Sequence, residues 1–169
     1  MKAFKYVVWV LLLFLVQTVV MNYITPFGFR ADIILPFVIV VAIKEDKFRL
    51  STTVSIVCAA MAGALCGKNF SFCVLFYTYA GALVFNMRKY PAYMPDFVRY
   101  ILWIVPGAFV SEIISYLLLY ASLERFVKTF AFHMLPAALI TIVGSLIIYP
   151  LANATLYRRK KIMGRLITK

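Results

Sequence analysis

The chain has 169 residues, of which 64% are hydrophobic and 14% are charged, and its formal net charge is +12 at neutral pH. A soluble domain normally has about 25% charged and about 45–50% apolar residues, so this composition excludes a water-soluble fold. The apolar residues come in long blocks separated by short charged segments, which is typical of repeated membrane crossings. We therefore expect one membrane-embedded, all-α domain over residues 1–169.

Six apolar blocks predict six transmembrane helices, because backbone polar groups left unpaired in hydrocarbon are too costly for open structures. The first block follows Lys2 and Lys5, as the apolar core of a signal peptide would. Because no small-residue cleavage site follows in Met21 to Ile24, we expect an uncleaved first helix. In chain order the blocks span residues 6–24, 31–43, 51–67, 70–87, 99–121 and 130–156.

The short second block, the gap between the third and fourth blocks, and the longest loop each support a further prediction. The second block is short for a span of about 17–25 residues, so we expect it to extend a turn into Lys44–Lys47 or to cross where neighbours thin the bilayer. The third and fourth blocks are separated only by Gly67-Lys68-Asn69, which predicts a tight hairpin. The longest loop, Arg88–Arg99, is large enough to be a docking surface.

The basic residues are distributed unevenly between the two sides that six spans create. With the N-terminus in the cytoplasm, fourteen lie inside and four outside, as the positive-inside rule predicts for cytoplasmic N- and C-termini. The net charge therefore needs no nucleic-acid partner to explain it. The inner residues are Lys2, Lys5, Lys44, Lys47, Arg49, Arg88, Lys89, Arg99, Arg158, Arg159, Lys160, Lys161, Arg165 and Lys169, and the outer ones are Arg30, Lys68, Arg125 and Lys128.

Four polar residues within the apolar blocks are candidates for function, because polar groups inside a membrane are costly. Glu112 and His133 could form a proton-linked or substrate-binding pair, or serve separately as a hydrogen-bonding group between helices and an interfacial residue. Asp32 is placed to cap the N-terminus of the second helix, with contact to a partner protein as the alternative. Gln17 lies well inside the first helix.

Nothing in the sequence predicts catalysis, a cofactor or a metal site. It has no catalytic or phosphate-binding motif, and one histidine is too few for a multi-histidine site. Cys58, Cys66 and Cys73 lack metal-site spacing and are expected to be packing residues. Four prolines in the apolar blocks predict helix kinks, although interrupted helices also mark substrate sites in transporters; they are Pro36, Pro106, Pro136 and Pro150.

The order of these features resembles the bacterial rod shape-determining MreD family over nearly the whole chain. The resemblance consists of Gln17 in the first helix, Gly28 and Asp32 before Ile-Ile-Leu at the start of the second, a hairpin containing glycine, and a last helix that runs from His133-Met134-Leu135-Pro136 to Ile148-Tyr149-Pro150 before a basic tail.

This resemblance implies a six-helix bundle similar to the substrate-binding subunits of energy-coupling-factor vitamin transporters, in the bacterial cytoplasmic membrane. It implies no enzymatic activity. Members of the family are understood as scaffold subunits that bind MreC and, through it, the cytoskeletal protein MreB and the RodA-type glycosyltransferase with its penicillin-binding transpeptidase. The implied function is control of cell shape and of lateral peptidoglycan synthesis.

The alternative function is that of a substrate-capture subunit of such a vitamin transporter, since one fold serves both. Those subunits commonly carry small residues at AxxxA spacing in the first helix, where they dock their partner. Here the stretch Trp9–Val16 is bulky throughout, which favours the scaffold.

Overall fold

The computed structural model describes residues 2–20, 32–65, 70–90, 93–120 and 129–157, and apart from short connections these ranges are helical. The described chain thus confirms an all-helical fold with six helices. They are α1 (Lys2–Leu15), α2 (Ile34–Lys44), α3 (Phe48–Leu65), α4 (Phe70–Met87), α5 (Asp96–Tyr120) and α6 (Leu135–Ala152). Three π-helical turns continue them: Val16–Val20 after α1, Phe130–Met134 before α6 and Asn153–Tyr157 after α6.

Three helices, α1, α3 and α5, begin a few residues before the apolar blocks that predicted them, whereas α2 begins three residues after the start of its block. α3 begins at Phe48 rather than at residue 51, and α5 begins at Asp96 rather than at residue 99. The difference arises because the first turn of a helix tolerates charged residues, whereas the blocks were bounded by them. The predicted hairpin Gly67-Lys68-Asn69 lies outside the described residues.

α2 is the centre of the bundle. All ten residues from Ile34 to Ile43 are buried, and α2 packs against α3, α4, α5 and α6. From α1, the Trp9 ring stacks on Phe37 with 5.7 Å between the ring centroids. A helix that is apolar on every side is a buried helix, so α2 presents no face to the surroundings of the bundle.

α2 is also too short to cross a bilayer alone. It ends at Lys44, and Glu45 after it has extended backbone dihedrals, so the predicted extension of a turn into Lys44–Lys47 is wrong. Its eleven residues measure about 16 Å at about 1.5 Å per residue, roughly half the hydrocarbon thickness. Such a helix is tolerated at membrane depth because protein, not lipid, surrounds its ends.

Three stretches are long and apolar enough to cross a membrane, and they indicate a membrane protein. They are Phe70–Met87, Asp96–Ile114 and Phe132–Tyr157. The other apolar helical stretches, Phe4–Val19 and Phe48–Ala64, are shorter, as is α2. The part of the chain that the structure describes therefore contains three helices that satisfy the length requirement by themselves.

α3 and α4 approach each other more closely than side chains would normally permit. A Cβ atom added at Gly63 would lie 2.8 Å from the Cα of Phe70. A Cβ atom at Gly81 would meet the Ser55 hydroxyl oxygen and would lie 3.0 Å from the Ser55 Cβ. Small residues at such contacts let helices pack tightly where apolar burial gives no driving force, so the two glycines set the α3–α4 distance.

The four prolines do not have equivalent positions. Pro36 lies in the first turn of α2, where backbone N–H groups have no helical acceptor. A proline there removes no helical hydrogen bond, and the loss of such a bond is the reason a kink was expected. Pro106 and Pro150 lie inside helices, and their kinks stay predictions. Pro136 follows directly on the π-helical turn Phe130–Met134, a widened turn of the kind that interrupts regular helical hydrogen bonding.

Candidate functional site

Asp32 caps the N-terminus of α2, as predicted from the sequence. Its Oδ1 accepts hydrogen bonds from the backbone N–H groups of Ile34 at 3.1 Å and Leu35 at 3.3 Å. These are two of the donors that a helix start leaves without acceptors. Asp32 is only 3% exposed, so water has little access to these N–H groups and could not take the place of the carboxylate as their acceptor.

Three further side chains converge on the same point from three other helices. The Gln17 Oε1, from the π-helical turn after α1, accepts from the Ile33 N–H at 3.0 Å. The Thr141 hydroxyl of α6 accepts from the Asp32 N–H at 3.0 Å. The Tyr77 hydroxyl of α4 donates to the Asp32 Oδ2. We call Gln17, Asp32, Tyr77 and Thr141 the Asp32 cluster.

The Asp32 cluster fixes one end of α2 relative to α1, α4 and α6. A buried carboxylate is tolerated when its oxygens are hydrogen-bonded, and here both oxygens accept bonds. Removing one partner from such a network costs more than the bond itself contributes, because the remaining polar group stays buried without it. The arrangement thus specifies a unique position for α2.

A second buried carboxylate, Glu45, lies at the other end of α2 and is only 2% exposed. The Tyr6 hydroxyl of α1 is 2.5 Å from the Glu45 Oε2 and donates to it, and the Tyr157 hydroxyl lies 2.7 Å from that of Tyr6. The Arg88 guanidinium donates to the Glu45 backbone carbonyl. We call Tyr6, Glu45, Arg88 and Tyr157 the Glu45 cluster.

An ion-pair group beside the Glu45 cluster joins α2 to α5. The Lys44 ammonium donates to the Asp96 Oδ2, and the Arg99 guanidinium pairs with the Asp96 Oδ1 at 2.9 Å. Arg99 also donates to the Arg88 carbonyl at 2.6 Å and to the Met94 carbonyl at 3.0 Å. These bonds hold the segment between α4 and α5 against the end of α2.

α1 and the turn after α6 are joined at this same end. The Trp9 indole N–H donates to the Thr155 hydroxyl at 2.9 Å, and the Lys5 ammonium donates to the Thr155 carbonyl at 3.0 Å. Together with the Tyr6–Tyr157 contact, these bonds hold the beginning of α1 against the turn Asn153–Tyr157. The first and last helices are therefore adjacent.

The remaining predicted polar residues are Glu112 and His133. Glu112 is half-buried in α5, and His133 is exposed on the π-helical turn Phe130–Met134, against which α5 packs. Both side chains have interaction partners. The proton-linked pair and the separate structural roles both stay predictions.

Sequence reasoning missed Tyr77, Thr141 and Glu45. Tyr77 had a usable signal, because a phenol in the middle of an apolar block needs a hydrogen-bond partner when buried. Glu45 lies among the charged residues Lys44–Lys47 in the sequence, and only the shortness of α2 indicates that its carboxylate is buried. Thr141 gave no signal, since threonine in a helix often bonds its own backbone.

The described residues contain no group of three His, Cys, Asp or Glu side chains placed to hold a metal ion. Cys58 and Cys73 are free and buried, and Cys66 lies outside the described residues. The polar contacts described above are hydrogen bonds and ion pairs that join helices at the two ends of α2.

The chain was compared with protein families, with curated proteins and with solved structures. No family model, no curated protein and no solved structure matches the chain.

Proposed function

We propose that the protein is a non-catalytic scaffold subunit of the bacterial cell-elongation machinery, which binds an MreC-like membrane protein and helps direct lateral peptidoglycan synthesis. The observation that carries the proposal is the ordered set of residues resembling the MreD family. Asp32 and Gln17, two members of that set, have their described contacts within the bundle. Such contacts support an architectural role, because groups already engaged in holding helices together are poorly available to a substrate.

The orientation that belongs to this proposal has six spans and both termini in the cytoplasm. Its support is that the lysine and arginine residues whose side chains the structure describes lie at the Glu45 end of the bundle, in the contacts given above or beside them in the chain, as the positive-inside rule requires of a cytoplasmic end. These side chains are Lys5, Lys44, Lys47, Arg49, Arg88, Lys89 and Arg99.

Reporter fusions test the orientation. A reporter active only outside the cytoplasm is expected to be silent after Lys47 and at Lys169, and active after Lys68. A reporter active only in the cytoplasm serves as the matched control and should give the inverse pattern. External activity at Lys169 would contradict the six-span arrangement.

The partner-binding surface in this proposal is the outer face of α1. Phe4, Val8, Leu11, Leu15 and Val19 are exposed, and their spacing puts them in one stripe along the helix. α2 is enclosed and has no outer face that could contribute to this surface. Bulky side chains in a stripe suit helix association in lipid, which depends on packing.

Copurification tests the scaffold function. The full chain, expressed in its own host and purified in mild detergent, is expected to recover an MreC-like protein, and depletion should give rounded or widened cells. Leu11→Gln with Leu15→Gln should reduce recovery, whereas the matched pair Leu139→Gln with Val143→Gln on the exposed face of α6 should not. Tight stoichiometric vitamin binding, with normal cell shape on depletion, would instead establish the transporter subunit.

A further inference from the structure

The Glu45 end of the bundle has an excess of exposed positive charge. Lys47 and Arg49 at the start of α3 and Lys89 after α4 are exposed. They are neighbours in space, because the Phe48 and Phe85 rings meet at 5.2 Å and Arg88 donates to the Glu45 carbonyl. We call Lys47, Arg49 and Lys89 the cationic patch.

The acidic residues at this end do little to neutralise the cationic patch. Glu45 is buried and accepts from Tyr6. Asp96 is engaged by Lys44 and Arg99. Asp46 is exposed, and the Asp96 side chain, already paired with Lys44 and Arg99, is 39% exposed, so among the described residues at this end the exposed cations of the patch outnumber the carboxylates left to balance them.

Exposed aromatic side chains accompany the cations. Phe48 lies between Lys47 and Arg49 in the chain and is 45% exposed, and Tyr90 follows Lys89 and is 73% exposed. Aromatic rings beside lysine and arginine are typical of side chains at the headgroup level of a membrane. An acidic soluble partner would explain the cations but not the rings.

We infer that the cationic patch binds the headgroups of anionic phospholipids. The ends of the apolar helices α3 and α4 bring Lys47, Arg49 and Lys89 to the height of the lipid phosphates, where each basic side chain attracts anionic lipid by Coulomb interaction. The neighbouring rings of Phe48 and Tyr90 contact the boundary between acyl chains and headgroups. This lipid binding goes beyond the scaffold function and does not depend on which protein partner the chain has.

Native mass spectrometry of the full chain in detergent tests this inference. With phosphatidylglycerol and phosphatidylcholine of the same acyl chains present at equal concentration, the wild-type protein is expected to retain mainly phosphatidylglycerol. The variant Lys47→Gln, Arg49→Gln, Lys89→Gln should lower the preference about tenfold or more, since each charge contributes up to about fivefold. The matched variant Lys47→Arg, Arg49→Lys, Lys89→Arg, which keeps every charge, should retain it.

Raising the salt concentration from about 0.05 M to about 0.5 M should weaken the wild-type preference, because exposed charges are screened. Helical content by circular dichroism verifies that each variant is folded. Equal retention of the two lipids by the wild type, or an unchanged preference in the charge-removed variant, would overturn the inference. Binding of polyglutamate without any preference for phosphatidylglycerol would also overturn it and would assign the patch to an acidic protein.

Discussion

Replacing Asp32 with alanine is expected to destabilise the folded bundle by about 3 kcal/mol. The change removes the acceptor of the Ile34 and Leu35 N–H groups, and loss of such a cap costs about 0.5–2 kcal/mol. It also leaves the Tyr77 hydroxyl buried without the acceptor it has in the native protein, which costs about 1–3 kcal/mol more. The measurement is the unfolding midpoint in mixed micelles of dodecyl maltoside and dodecyl sulfate.

Two conservative variants separate the contributions within the Asp32 cluster. Asp32→Asn keeps an oxygen for the helix cap and should cost about 1 kcal/mol, the loss of a charge-assisted bond. Thr141→Val removes only the acceptor of the Asp32 N–H and should cost about 1 kcal/mol. A loss below about 0.5 kcal/mol for Asp32→Ala, the usual range for surface changes, would contradict the anchoring role.

The second large effect is expected at the α3–α4 contact. Gly81→Ala should cost about 2 kcal/mol, because the new methyl group would overlap the Ser55 side chain and press on the Val38 Cγ1 at 3.3 Å, and overpacking typically costs about 1–3 kcal/mol. The same unfolding assay measures this loss.

Another helical glycine and a compensating change control this prediction. A Cβ at Gly107 would make ordinary contacts of 3.7 Å with Ile39 and Leu35, so Gly107→Ala should stabilise the protein by up to about 1 kcal/mol. Ser55→Gly in the Gly81→Ala background should recover part of the loss, since it removes the overlapping atoms. If both glycine variants changed stability by equal amounts, close packing at Gly81 would not be the cause.

The sequence predicted the helices well because the signal is local. Each apolar block is bounded by charged or turn-forming residues, and hydrocarbon permits little other than helix. Asp32 was predicted as a cap on the same basis, since the residues that it caps follow it directly in the chain. Features of this kind require knowledge of a few neighbouring residues only.

The enclosure of α2 was not predicted, because it depends on distant parts of the chain. The sequence pattern of an apolar helix is the same whether lipid or protein surrounds that helix. The partners of its two ends are Tyr77 and Thr141 at one end and Tyr6 and Tyr157 at the other, and no spacing rule links them. The feature of the sequence that distinguishes α2 is its shortness, and the structure shows that this short helix is also buried.

The central position of α2 also constrains the order in which the protein can be completed during its synthesis. Helices leave the ribosome from α1 to α6, yet α2 needs α4, α5 and α6 around it, and the acceptor of the Asp32 N–H lies 109 residues later in the chain. Until the last helix arrives, α2 is a short apolar segment between two carboxylates with an incomplete set of neighbours. The second helix to be made therefore has its full set of neighbours only after the last helix, α6, has been made.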